Sequence, residues 1–374
     1  MTSLRLAAFL VAAAMGCHLA LADDEAAPAA PPRIAFEPVV DRAIDVVILP
    51  GYRALAERAA EDATRTRDLC WQADAERLAA ARDGFAEMVL AWSRVEFIRF
   101  GPARDQNRYE RLFFWPDPRG RGLQQVQEII ANEDPTATSV ETLREKSVAA
   151  QGLFALEFVL YGTSSEVLTD TANPARSFRC RFGAAIAGAI SETAEEIVAD
   201  WTKPDGYAAL MRDAGPEDPV YRAHGEVVQE LIKAAREQLQ LARDLKLAHA
   251  IEATPDKAQP KRAPFWRSDL TIASIRANID AVLALAGPDG IGAALPEDSA
   301  WIAAELAFEL RQADEALARV DARGDRWETL VADKKNHEDL TYTLIPLADA
   351  IALLEGGYPD ALGLITGFNS LDGD

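Results

Sequence analysis

Apolar residues recur at three- and four-residue spacings along most of this chain. Ile186, Ile190, Ala194, Ile197 and Trp201 follow one another at such spacings, which puts a single apolar stripe on one helix. From Val220 to Ala250 the pattern returns through Val228, Leu231, Ala235, Leu239, Ala242 and Leu245. Pro216-Glu217-Asp218-Pro219 opens that long helix. No segment alternates with the period of a strand, and no Asn-Gly or Asp-Gly pair sits between alternating runs. The pattern predicts an all-α protein.

Prolines 255, 260 and 264 interrupt the helical text and mark 253–265 as a linker. Before it, helices are predicted near 74–99 and 139–161, on either side of a Gly/Pro-rich stretch. After it, helices are predicted near 269–286, 298–320 and 325–355. This reads as two helical bundles, 36–252 with the long connecting helix and 266–374. A similar order of elements in each half is what a duplication would leave, although identity between the halves is too low to prove one.

The first 22 residues, MTSLRLAAFLVAAAMGCHLALA, have the form of a secretory signal peptide. Arg5 precedes a short apolar core from Leu6 to Met15, and Ala20-Leu21-Ala22 is a small-residue cleavage site. Cys17, after Ala14-Met15-Gly16, is the alternative processing point, as the lipidated residue of an anchored protein. Residues 23–35 then form a flexible leader. Export changes the reading of the cysteines. With Cys17 set aside, Cys70 and Cys180 remain, and two thiols in an oxidising compartment are expected to pair; two separately buried thiols are the alternative.

Acidic residues outnumber basic ones, 60 against 39, for a net charge of −21. Loss of residues 1–22 removes Arg5 and no acid, so the mature chain is one unit more negative. Such a balance opposes binding to nucleic acid or to an anionic membrane; membrane contact is left to a lipid anchor. Some 350 residues exceed what one core usually supports, so two domains are expected.

Few residues carry chemistry. In GLFALEFVLYG, from Gly152 to Gly162, Glu157 stands alone among apolar residues, so it must be largely buried and requires a cation, several donors or a raised pKa. A structural ion pair between helices satisfies the same need. In AWSRVEFIRFGP, Trp92, Glu96 and Arg99 share a helical face. Arg99 is the first candidate partner for Glu157 or Glu96, with Arg94 and Arg104 as alternatives. Trp115 and Asp117 lie in an aromatic loop, Phe113 to Asp117, of the kind that lines ligand sites or caps a bundle. His224 and His337 fall on apolar stripes and read as satisfied core histidines. His249-Ala250-Ile251-Glu252 matches H-x-x-E only as a chance pair at a helix end. No H-E-x-x-H, G-x-S-x-G or P-loop sequence is present.

Taken together, AWSRVEFIRFGP, the WPD at Trp115 to Asp117, GLFALEFVLYG, RCRF from Arg179, FWRSDLTIASIRANI from Phe265 and the closing GLITGFNSLDGD resemble the imelysin family. The likeness is strongest to its branch of periplasmic lipoproteins and iron-regulated envelope proteins. The resemblance implies two four-helix bundles with a groove between them, a periplasmic location and a link to iron or another divalent metal. It also implies a proposed metallopeptidase activity, resting on a G-x-H-x-x-E motif. Here Gly152 and Glu157 match, but Phe154 takes the histidine position and has no lone pair to offer a metal. The expected function is therefore a non-catalytic binding component for a small ligand or an envelope partner. Trp92, Glu96, Arg99, Trp115, Asp117 and Glu157 are expected to line the groove, with the terminal Asn369 and Asp372 closing it. The alternatives are a hydrolase holding its metal through the carboxylates of Glu157 and Glu96, and a purely structural module.

Overall fold

A computed structural model describes residues 34–364. The export segment 1–22, Cys17, nearly all of the leader, Asn369 and Asp372 lie outside the described residues. Every regular element among them is helical, as the periodicity predicts.

The longer helices are α1 (Leu49–Trp71), α2 (Ala75–Val95), α3 (Arg121–Ala131), α4 (Gly152–Tyr161), α5 (Ala175–Thr202), α6 (His224–Gln240), α7 (Thr271–Ala286), α8 (Trp301–Asp321) and α9 (Lys334–Ala352). Helix α1 packs along α2 and α5, and α4 lies on α5. Helix α7 packs on α2, α6 and α8, and α8 lies on α9. From Ala35 to Leu364 the described chain is one compact unit. The stripe from Ile186 to Trp201 on α5 is buried throughout, as burial of one helical face requires. Among the described residues, no helix is long and apolar enough to cross a membrane.

Three boundaries differ from the periodic reading, each for a local reason. The helix near 139–161 is broken into a short turn, Val140–Leu143, and α4. The break spans 144–151 and ends at Gly152, the first residue of α4, whose φ of +73° is closed to most side chains. The segment near 325–355 restarts at Asp333, whose carboxylate caps α9 by accepting from Asn336 N at 2.9 Å. The long helix after α6 widens into a π-helical run, Leu241–Ala248. The wider turn shifts the register, so Lys246 and Leu247 enter the core while Leu245 is only half-buried.

Cys70, at the end of α1, is joined to Cys180, near the start of α5, by a disulfide with its Cα atoms 5.4 Å apart. The proline-rich segment makes two tight turns, Pro255–Lys257 and Pro260–Arg262. It then delivers Phe265 to the interior, where the ring stacks on Phe113 at 4.9 Å.

Candidate functional site

Glu157 organises a cavity of about 390 Å³. Its walls come from the loop at Trp115–Pro118, from Phe154 on α4, from Leu245 and His249 after α6, and from 261–267. This size lies within the range of small-molecule sites.

The carboxylate is buried, and its Oε1 accepts three hydrogen bonds: from Arg267 N at 3.1 Å, Ser268 N at 3.1 Å and Ser268 Oγ at 2.8 Å. Oε2 faces the Arg267 guanidinium at 3.7 Å. Burial pushes the Glu157 carboxyl above its ordinary value, opposed by the Arg267 charge and the Ser268 donors. Burial likewise lowers the Arg267 guanidinium, with Glu157 pulling the other way.

These bonds also hold a strained loop. Phe265 has φ of +57° and Asp269 +60°, conformations that cost a non-glycine residue of order 1–3 kcal/mol each. Glu157 fixes the turn from one side. On the other, Asp269 Oδ1 accepts from Trp327 N at 3.0 Å. The rings of Trp266, Phe158 and Phe154 surround the Arg267 guanidinium at 4.4, 5.5 and 5.9 Å.

Asp117 lies at the cavity with both oxygens engaged. Oδ1 accepts from Arg121 N at 2.9 Å, and Oδ2 accepts from Gly122 N at 2.8 Å and Leu123 N at 3.3 Å. It therefore satisfies the free N–H groups that open α3. Trp115, joined to Pro116 by a cis peptide bond, presents its ring beside Phe113 at 6.1 Å.

The structure thus gathers Trp115, Asp117 and Glu157 at one cavity and places Trp92, Glu96 and Arg99 behind or beside it. Trp92 is buried against Tyr109 at 5.1 Å and Phe113 at 6.1 Å, one aromatic layer inward. Glu96 has no exposed surface; its Oε2 receives Lys246 Nζ at 2.6 Å and Asn278 Nδ2 at 3.0 Å. Arg99 stacks on Tyr109 at 4.8 Å and lines a separate cleft with Arg104. Glu157 and Glu96 are therefore paired with Arg267 and Lys246 rather than with Arg94, Arg99 or Arg104. His249 reaches the cavity rim, while Glu252 is taken up by Arg262 at 3.0 Å. His337 is satisfied in the core by the carbonyl of Ile251 at 3.1 Å.

Residues that sequence reasoning missed are Arg267, Ser268, Trp266, Lys261 and Lys246. Lys246 carried a signal, because it stands on the apolar register of α6, four residues after Ala242. Among the described residues no three His, Cys, Asp or Glu side chains converge as metal ligands. With Phe154 beside Glu157 and the Glu157 oxygens engaged by Arg267 and Ser268, the donor set does not fit a His/Glu metal centre.

Comparison with known proteins agrees with this fold. An imelysin-like protein from Psychrobacter arcticum 273-4 has 18% sequence identity and a TM-score of 0.72, over 89% of this chain and 97% of that one. The iron-regulated protein A precursor from Parabacteroides distasonis ATCC 8503 has 13% identity and a TM-score of 0.72, over 88% and 97%. At these identities the likeness establishes the fold alone. None of the curated proteins compared with the chain matches it. The family model described as imelysin matches residues 48–354, most of the chain, and on that match this protein belongs to the imelysin family.

Proposed function

We propose that this protein is a non-catalytic, exported binding component that holds a small ligand in the cavity at Glu157, in a system linked to iron or metal uptake. The observation that carries the reading is Phe154. It occupies the place of the family's proposed metal-ligand histidine, faces the cavity and leaves Glu157 bound to Arg267 and Ser268. A metallopeptidase needs a water activated on a metal, and with Phe154 in the histidine position the family's proposed ligand pair is incomplete here. The printed name of the Parabacteroides relative supports the iron link. The signal-like first 22 residues and the Cys70–Cys180 bond support a periplasmic location.

The reading is tested by fractionating the native host and assaying the mature protein. The expected result is a periplasmic protein whose abundance follows iron supply and which cleaves no peptide with or without added Zn²⁺. Peptide hydrolysis that requires added metal and disappears in Glu157→Gln would overturn it.

A further inference from the structure

Arg267 differs from Arg179 and Arg108 in what its guanidinium touches; buried Arg236 also keeps unpartnered guanidinium nitrogens, beside Glu355 at 3.5 Å, but does not line this cavity. Arg179 is capped by three carbonyls, Val159 O at 2.9 Å, Thr163 O at 2.8 Å and Phe158 O at 2.7 Å. Arg108 reaches Asp200 at 2.7 Å, Pro102 O at 3.1 Å and Glu196 at 3.3 Å. The Arg267 side chain is only 11% exposed, yet among the described residues its guanidinium makes no hydrogen bond and has one acidic neighbour, 3.7 Å away. Guanidinium donors held in an aromatic surround with no acceptor within hydrogen-bond distance are costly to leave unmet. Their open side is the cavity.

A second cation stands nearby. Lys261 Nζ lies 5.1 Å from the ring of Trp266, the same ring on which Arg267 stacks at 4.4 Å, and its acidic neighbour is Glu328 at 3.8 Å. The cavity's own carboxylates are already engaged: Glu157 Oε1 by three donors, Asp117 by the opening of α3. Among the described residues Arg267 and Lys261 make no side-chain hydrogen bond, while of these carboxylate oxygens only Glu157 Oε2, 3.7 Å from Arg267, accepts none. Around them Trp115, Phe154 and Trp266 give flat apolar walls.

Building on the ligand-binding reading above, we propose that this cavity is a receptor for a small carboxylate carrying a flat apolar body, with Arg267 and Lys261 as its cationic contacts. The Arg267 fork suits the two oxygens of a carboxylate, and Lys261 adds a mobile point charge at the rim. The aromatic walls take the body of the ligand.

Tryptophan fluorescence of the full mature chain, titrated with benzoate, tests this. Benzamide serves as the neutral isostere and citrate as an anion without a flat body. Benzoate is expected to give a saturable change, with both controls at least about tenfold weaker. Arg267→Lys keeps the charge and loses the fork, and should weaken benzoate several-fold; Arg267→Gln should weaken it about tenfold or more. Lys261 is exposed, so Lys261→Ala leaves the fold intact and still tests the site if Arg267→Gln fails to fold. It should give a smaller loss that added salt reproduces in the parent protein. Benzamide or citrate binding as tightly as benzoate, an affinity unchanged in both Lys261→Ala and Arg267→Lys, or no saturable benzoate binding would each overturn the proposal. Any of these without peptide hydrolysis leaves the broader binding reading standing, whereas metal-dependent hydrolysis removes that reading first.

Discussion

Lys246 Nζ lies 2.6 Å from Glu96 Oε2, and neither side chain has any surface in contact with solvent. Asn278 completes the lock, accepting from Lys246 at 2.8 Å and donating to Glu96 at 3.0 Å and to Ser93 O at 2.6 Å. The three residues tie the end of α2 to the π-helical run and to α7. Burial pulls the Lys246 ammonium below its ordinary value, against the charge of Glu96. Removing one partner leaves an uncompensated buried charge, so Glu96→Gln or Lys246→Met should each cost about 3–5 kcal/mol in urea unfolding. The double change Glu96→Leu with Lys246→Met should recover most of that loss. Single variants within about 1 kcal/mol of the parent would show that the pair does not hold these elements together.

Gly152→Ala should be among the most damaging small substitutions. An added Cβ would lie 2.3 Å from Arg111 O and 2.5 Å from Leu112 O, at a φ of +73°. Backbone atoms cannot swing aside, so α4 would have to move and Glu157 with it. A loss of about 2–4 kcal/mol is expected, read as a lowered Tm. A variant as stable as the parent would mean that the α4 start can relax at little cost.

Asp62 predicts a pH dependence. It is fully buried on α1, neither of its carboxylate oxygens has a hydrogen-bond partner among the described residues, and burial pushes its pKa up to about 8, with Arg65 opposing and Glu87 assisting. The folded protein therefore keeps this proton to higher pH than the unfolded chain does. The resulting stability is complete below the ordinary value of 3.8 and is lost as pH rises through about 8. Asp62→Asn should flatten the fall in Tm between those limits and be more stable than the parent at pH 7 by roughly a few kcal/mol. Parallel Tm curves for the two proteins would refute the assignment.

Reduction of the Cys70–Cys180 bond, or Cys70→Ser with Cys180→Ser, should lower stability by about 2–5 kcal/mol. Thermal unfolding with and without reductant measures it. An unchanged Tm would show that the helix contacts alone constrain the loop of 110 residues.

Much of the fold was legible in the sequence because it rests on period. The α5 stripe, the absence of alternating strands and the pairing of the two remaining cysteines all emerged from spacing and compartment. A burial signal was legible too: one acid inside an apolar helix had to be satisfied internally. Its partner was not, because Arg267 and Ser268 stand 110 and 111 residues away in sequence, and local pattern carries no information about such a meeting. Asp117 lies at the cavity. Yet its role there, accepting from the first N–H groups of α3, follows from a turn geometry that the letters WPD do not specify. Asp62 and Lys246 each occupied an apolar register while charged, the same signal that singled out Glu157. The π-helical run then left Leu245, three residues after Ala242, only half-buried at the cavity, a register change that a 3.6-residue period cannot anticipate.

The disulfide also sets the covalent topology of the cavity. Trp115, Asp117, Phe154 and Glu157 all belong to the ring closed between Cys70 and Cys180, whereas His249 and Lys261 to Arg267 belong to the open strand that follows. A single peptide-bond cut anywhere inside that ring opens the loop without releasing a fragment. The wall that carries Glu157 thus stays tethered through a break, while a cut between Cys180 and Lys261 frees the segment bearing its cationic partners from everything but non-covalent contact.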